Sequence, residues 1–188
     1  MSLLLYDNPV SGNCFKVRLL LTLLGIEFER QELSVVDHSD RPEILGGLSP
    51  ALSVPTVVLE DGRPLAESNA ILWYFADGTR YLPDDPHQRA QVLQWLFFEQ
   101  SDVDATIAVA RFWVSIIEDP PAPGVDVEAL QKAGRAALRW SATSAPPSSS
   151  SASASRSPTS PSTPTPTSPP RAASTSSPTP PSAPGLAG

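Results

Sequence analysis

Ser53-Val54-Pro55-Thr56-Val57-Val58-Leu59-Glu60-Asp61-Gly62-Arg63-Pro64-Leu65-Ala66-Glu67-Ser68-Asn69 is the stretch on which the fold turns. Val54–Leu59 is a β-branched run of the kind that fits a pleated sheet, and Glu60-Asp61-Gly62-Arg63 carries the Asp-Gly signal of a tight hairpin. Pro64-Leu65-Ala66 then returns as the second arm. Glu67-Ser68-Asn69 offers cap chemistry for a helix that carries Ile71, Leu72 and Phe75 and closes at Asp77-Gly78.

Upstream, Leu3–Tyr6 is a short apolar run stopped by Asp7-Asn8-Pro9, a buried strand followed by a loop. Ser11-Gly12-Asn13 precedes a helix whose Val17, Leu20, Leu21 and Leu24 recur at three and four, with Gly25 as its stop. Ile26–Leu33 alternates as a strand beside a sheet edge, and Pro42–Leu48 reads as a short, poorly patterned helix. The order is therefore β-α-β-α-β-β-α, the thioredoxin-like arrangement, ending near Gly78. In that fold the proline of Val54-Pro55 is expected to be cis, which presents the backbone of Val54 to an extended peptide.

Tyr81-Leu82-Pro83 reads as a linker, and Pro86 suits the first turn of a long helix running to about Ile117. Its stripe, including Val92, Trp95, Phe98, Ile107, Ala110 and Val114, is widened by Phe97, Phe112 and Trp113, so the helix needs neighbours on several sides. Asp119-Pro120-Pro121 breaks it. Val127–Leu138 begins another amphipathic helix, and the pattern then stops. From Ser141 the composition is Ser, Thr, Pro and Ala without periodicity, which cannot bury enough apolar surface to offset about 1–2 kcal/mol of backbone entropy per residue. The expected class is an α/β thioredoxin-like N-terminal domain, an incomplete all-α domain and a disordered tail. The expected bounds are 1–79, a linker at 80–85, 86–140 and 141–188.

The chain has 188 residues and a net charge of −7. The only charges after Trp140 are Arg156 and Arg171, so the first 140 residues carry −9. So acidic a front portion argues against binding a nucleic-acid backbone. The single cysteine, Cys14, excludes an internal disulfide framework and fits a reducing, cytoplasmic setting. No signal-peptide pattern opens the sequence, and its apolar runs fall short of the about 20 residues that span a membrane. No membrane partner is expected.

Two places carry chemistry. Ser11 precedes a helix, where free N–H groups and the positive end of the helix dipole stabilise an anion such as a thiolate; its plain alternative is a helix cap. Cys14, in the first turn, is either a small buried hydrophobe or a reactive thiol. Glu67-Ser68 stands at a second helix start, where a carboxylate could be received; its plain alternative is again a cap.

Taken together, Ser11-Gly12-Asn13-Cys14-Phe15-Lys16-Val17-Arg18, Ser53-Val54-Pro55-Thr56 and Pro64-Leu65-Ala66-Glu67-Ser68-Asn69-Ala70-Ile71-Leu72 resemble the glutathione S-transferase family, and Tyr81-Leu82-Pro83 resembles its interdomain linker. The resemblance covers residues 3 to about 138. It implies glutathione as co-substrate and no metal, with Ser11, Asn13, Val54, Pro55, Glu67 and Ser68 as the glutathione-binding set. Ser11 is the implied catalytic residue, donating a hydrogen bond to the glutathione thiolate, and Cys14 is the runner-up. Ser53 departs from the Lys or Arg that many relatives carry before Val-Pro. The implied activity is thiolate addition to, or glutathione-dependent reduction of, small electrophiles. The alternatives are a non-enzymatic glutathione-binding or regulatory relative and an inactive truncated product. A homodimer is implied for an intact relative; that interface draws on second-domain helices, which leaves this chain's state open.

The tail interrupts the second domain of that family, and the genetic code supplies an explanation. Read in a shifted frame, Ser157–Ser162 permits V-A-D-I-A-L and Thr165–Ser176 permits Y-T-H-V-A-P-E-G-G-F-D-L, both similar to second-domain segments of the family. A frameshift near Leu138–Trp140 is the expectation, with a genuine low-complexity linker as its rival. Sequencing the gene across codons 135–145 separates the two.

Overall fold

The computed structural model describes residues 2–117 and 121–144. The greater part of the Ser/Thr/Pro/Ala tail, and with it the frameshift reading, lies outside the described residues. Strands β1 (Leu3–Asp7), β2 (Phe28–Glu32), β3 (Thr56–Val58) and β4 (Pro64–Ala66) form one mixed sheet in the order β2-β1-β3-β4. β1 pairs with β2 in parallel, and with β3 antiparallel; β3 and β4 form the antiparallel hairpin. Helices α1 (Gly12–Leu24), α2 (Arg41–Leu45) and α3 (Ser68–Ala76) complete the thioredoxin-like unit.

Alternation along β1 separates the two faces of the sheet. Leu3 and Leu5 pack with Val17 and Leu21 of α1, Val57 of β3 and Ile71 of α3. On the other face Tyr6 packs with Leu33 and Leu45, with Leu4 and Val54 against them. β2 lies at the sheet edge, and its last four residues are exposed, which accounts for its charged sequence. Gly25 ends α1 with φ 68°, a left-handed conformation that glycine adopts without steric cost, and its N–H reaches the carbonyls of Leu21 and Thr22. α2 is shorter than its sequence pattern: Gly46 leaves helical backbone with ψ 122°, and a side chain there would meet the Pro42 carbonyl.

After Leu82, buried at the linker, the chain is helical from Pro86 to Ser115. Asp85 caps the start, its carboxylate accepting from the Gln88 N–H at 2.9 Å. The run is not one regular helix: α4 (Pro86–Phe98) passes into a wide-wound segment, Glu99–Ala108, before α5 (Val109–Ser115). Within it the Thr106 hydroxyl donates to the Asp102 carbonyl, and Ser101 donates to the Phe97 carbonyl at 3.0 Å. Such back-bonding competes with the helical ladder and bends it. Of the expected stripe Ala110 is buried, but Val114 is 59% exposed, although α5 packs against both the wide-wound segment and α6 (Val127–Ser144). α6 continues past the composition break at Ser141. The hydroxyls of Ser141 and Thr143 satisfy carbonyls one turn back, at Leu138 (2.8 Å) and Trp140 (2.9 Å). Trp140 lies against Phe98 and Trp95, with ring centroids 4.6 and 5.6 Å away.

Candidate functional site

Register brings three distant segments to one end of the sheet. Tyr6 pairs with Thr56, and Thr56 with Ala66, so these residues form one row across β1, β3 and β4. β1 leaves this row toward Ser11, Val54-Pro55 enters it, and β4 leaves it into Glu67-Ser68. The Val54-Pro55 peptide is cis. Glu67 adopts φ 68° and ψ 111°, turning the chain sharply into α3, and its side chain makes no cap hydrogen bond. Of the cap chemistry offered by Glu67-Ser68-Asn69, Glu67 takes the N-cap position without a side-chain cap bond.

The loop from β1 to α1 is anchored by charge. Asp7 is fully buried and accepts from both Arg18 and Arg30. Arg18 also donates to the Asn8 carbonyl at 3.0 Å, and the Asn8 amide donates to the Leu33 carbonyl at 2.7 Å. These bonds hold the segment that ends in Ser11. Ser11 is the N-cap of α1, its Oγ accepting from the Cys14 N–H at 3.3 Å. The hydroxyl proton is not used in that bond, so capping and donation to a ligand are compatible. The cap is made, and it leaves the hydroxyl proton free.

Cys14 is fully buried, and burial pushes its thiol up to about 11, opposed in part by hydrogen bonds from Ser11 and Asn8. A thiol so placed stays protonated near neutrality and packs as a small hydrophobe.

Beyond Ser11 a cleft of about 500 Å³ opens between the α1 start and the wide-wound segment. Ser11, Asn13 and Phe15 line one wall, with Val103, Asp104 and Ile107 opposite. Three polar links cross it. The Asn13 amide donates to Asp104 at 3.1 Å, Lys16 pairs with Glu99 at 2.6 Å, and Arg111 donates to the Val10 carbonyl at 2.8 Å. Asn13 also accepts from the buried Ser68 hydroxyl at 3.4 Å, which connects the starts of α1 and α3. Glu67, by contrast, lines a separate groove between α3 and α4 with Trp73 and Phe97. Val54 and Pro55 sit at the base of the sheet row rather than on the cleft wall.

Asp104, Glu99 and Arg111 are absent from the sequence-based site. They lie 83 to 101 residues from their partners, and nothing in their local pattern distinguishes them from a solvated helix face. Among the described residues no group of three or more His, Cys, Asp and Glu side chains converges as a metal site would require. No described helix is long and apolar enough to cross a membrane.

Residues 10–77 match the family described as glutathione S-transferase, N-terminal domain. A glutathione S-transferase from Pseudomonas fluorescens is 39% identical with a TM-score of 0.65, over 74% of this chain and 70% of that one. The chain belongs to the glutathione S-transferase family. A glutathione transferase from Pseudomonas putida, solved with one glutathione disulfide bound per subunit, is similar at 27% identity and TM-score 0.62, over 74% of this chain and 63% of that one. Glutathione S-transferase U10 of Arabidopsis thaliana is 32% identical over 104 residues, 53% of this chain and 44% of that protein. The chain spans about half the length of the plant relatives it matches. The resemblance carried by the Ser11, Val54-Pro55 and Glu67-Ser68 segments thus corresponds to the family and to its thioredoxin-like fold.

Proposed function

We propose that the protein binds glutathione across the end of the sheet and activates its thiol for addition to, or reduction of, a small electrophile. The observation that carries this reading is the row Tyr6–Thr56–Ala66, at whose end of the sheet the segments carrying Ser11, Val54-Pro55 and Glu67-Ser68 leave or enter the strands. In this reading the extended tripeptide lies along the Val54 backbone beside Pro55. Its γ-glutamyl carboxylate meets the N-terminal turn of α3 at Glu67-Ser68, where helix N–H groups favour an anion. Its sulfur meets Ser11, and Asn13 ties the two helix starts together.

Ser11 is the assigned thiol-handling residue and Cys14 is not. A hydroxyl donor aimed at a thiolate favours the ionised sulfur and lowers its pKa. Cys14 is buried and retains its proton, so it supports packing rather than a mixed disulfide. The cleft beyond Ser11 supplies space for the electrophile, lined by the apolar side chains of Phe15, Val103 and Ile107.

The test is glutathione addition to a chromogenic electrophile by the full chain, with Ser11→Ala and Cys14→Ala beside it. Loss of one polar donor at a developing or stabilised anion costs on the order of a hundredfold in rate, and that loss is expected for Ser11→Ala, with a pH profile displaced upward. Cys14→Ala is expected to keep the parent rate. The reverse pattern would transfer the role to Cys14. Retention on immobilised glutathione without turnover would instead identify a non-enzymatic binder.

A further inference from the structure

Arg41 is 7% exposed and forms no ion pair among the described residues. One guanidinium nitrogen donates to the Leu52 carbonyl at 3.0 Å and another to the Ser34 carbonyl at 2.6 Å, while the buried Nε has no partner among the described residues. Burying a cation whose hydrogen bonds go only to neutral carbonyls is unfavourable, and burial lowers the proton affinity of this guanidinium, opposed in part by the charge of Asp40. A second costly feature meets the first at the same peptide. Leu52 has φ 50°, a left-handed conformation that a branched side chain rarely adopts unless its surroundings impose it.

The surroundings do impose it. The Leu52 N–H donates to the Ser49 carbonyl at 3.0 Å, and the Ser53 N–H to the Ser49 hydroxyl at 3.3 Å. Thr56 donates back to the Ser53 carbonyl at 2.8 Å, with Ser49 and Thr56 both buried. The strained bend immediately precedes Val54. Among the described residues the Arg41 guanidinium links it by hydrogen bonds to the Ser34 loop, beside the packing of Leu52 and Val54 near Leu33.

We propose that Arg41 is a positioning residue for glutathione: it locks the Leu52–Ser53 bend so that the Val54 backbone is presented in the orientation the tripeptide needs. This rests on the reading of Val54 as part of the glutathione site. The guanidinium itself touches no ligand; its fork ties the Leu52 carbonyl to the Ser34 carbonyl, which one ammonium cannot reproduce with the same geometry.

The experiment uses the full chain and three variants: Arg41→Met, Leu52→Gly and the two combined. Two readouts are taken, reduced-glutathione affinity by calorimetry and amide exchange over residues 49–56. A charge-assisted hydrogen bond typically contributes enough to change an equilibrium by about tenfold or more. Arg41→Met is accordingly expected to weaken glutathione binding about tenfold. It should also accelerate exchange at the Leu52 and Ser53 amides, leaving β1 and α1 amides as protected as in the parent. Glycine adopts the left-handed bend without penalty, so Leu52→Gly in the Arg41→Met background is expected to recover most of the affinity. Unchanged exchange in Arg41→Met would overturn the proposal. So would a global loss of protection that Leu52→Gly does not relieve. If the parent chain fails to bind glutathione, the reading of the site falls, and local exchange alone then decides whether Arg41 locks the bend.

Discussion

Cys14 and Asp7 are both buried beside the loop that carries Ser11, with opposite consequences. The folded thiol of Cys14 is raised from 9.0 to about 11, so the folded state holds this proton more tightly than the unfolded chain does. Between those two values the unfolded chain has lost the proton and the folded one has kept it, so stability falls as pH rises through that window. A two-unit difference corresponds to about 2–3 kcal/mol. Denaturant melts are expected to show full stability below about pH 9 and a progressive loss toward pH 11, and Cys14→Ala should flatten that decline. The same burial predicts slow reaction with an aromatic disulfide reagent at pH 7.5, accelerating only when denaturant opens the core. Asp7 is charge-paired instead. Removing it as Asp7→Ala would leave Arg18 without its acidic partner and detach the Asn8 loop. Breaking a buried pair by deleting one member costs about 3–5 kcal/mol, and the partial exposure of Arg30 places the expected loss near the lower end, about 3 kcal/mol. A chemical-denaturation midpoint unchanged in Asp7→Ala would contradict this account.

At the scale of elements, the helix α1 was readable because its apolar spacing, its Ser11 start and its Gly25 stop agree. The long helix was readable only in extent. Its spacing predicts a regular helix with one wide stripe, whereas its middle, Glu99–Ala108, is wide-wound and carries the hydroxyl back-bonds of Ser101 and Thr106. That widening matters for the cleft, because Val103, Asp104 and Ile107 all come from it. α6 presses on the same segment at Gly134, where an added Cβ would lie 2.5 Å from Ile107 Cγ1 and 3.2 Å from the Thr106 hydroxyl. Cγ1 moves only by rotation about χ1, which is restricted for a β-branched residue in a helix. Gly134→Val is therefore expected to destabilise by about 2 kcal/mol, in the range for overpacking, and to push Ile107 toward the Ser11 cleft. Thermal melts and electrophile KM measure the two effects, and a fully parental pair of values would show that α6 does not support the cleft wall.

Across the whole molecule the thioredoxin-like unit and the helices after it differ in how well they cover themselves. The sheet buries Leu5, Leu21 and Val57 completely on one face, and Leu45 on the other. The later helices leave Phe97 71%, Val114 59% and Leu138 52% exposed. Surface of this kind costs about 25 cal/mol per Å² of apolar area in water and associates with similar surface when molecules meet. The expressed chain is expected to form polydisperse aggregates or to co-purify with chaperones, and light scattering should grow with concentration. A monodisperse sample giving one sharp cooperative melt would count against it.

Residues 3 to 78 carried enough local information for their fold to be read. The strands, the hairpin and the helix ends are each dictated by neighbours within about ten residues, through period, turn chemistry and capping. Ser11, Val54-Pro55 and Glu67-Ser68 stand out as candidates for the same reason, since each sits where a strand meets a loop or a helix start. Asn13 was placed in the site through the family resemblance, and its bond to Asp104 was not visible in the sequence. The Arg111 and Glu99 links, the Arg41 hold on Leu52 and the burial of Asp7 were likewise settled only in three dimensions. A charged side chain has no periodic signature of its partner. The cost of burying it is met only when folding brings a counter-charge or a carbonyl from elsewhere in the chain within bonding distance. The sequence alone determined where glutathione chemistry is to be sought; tertiary packing determined which side chains hold that place in shape.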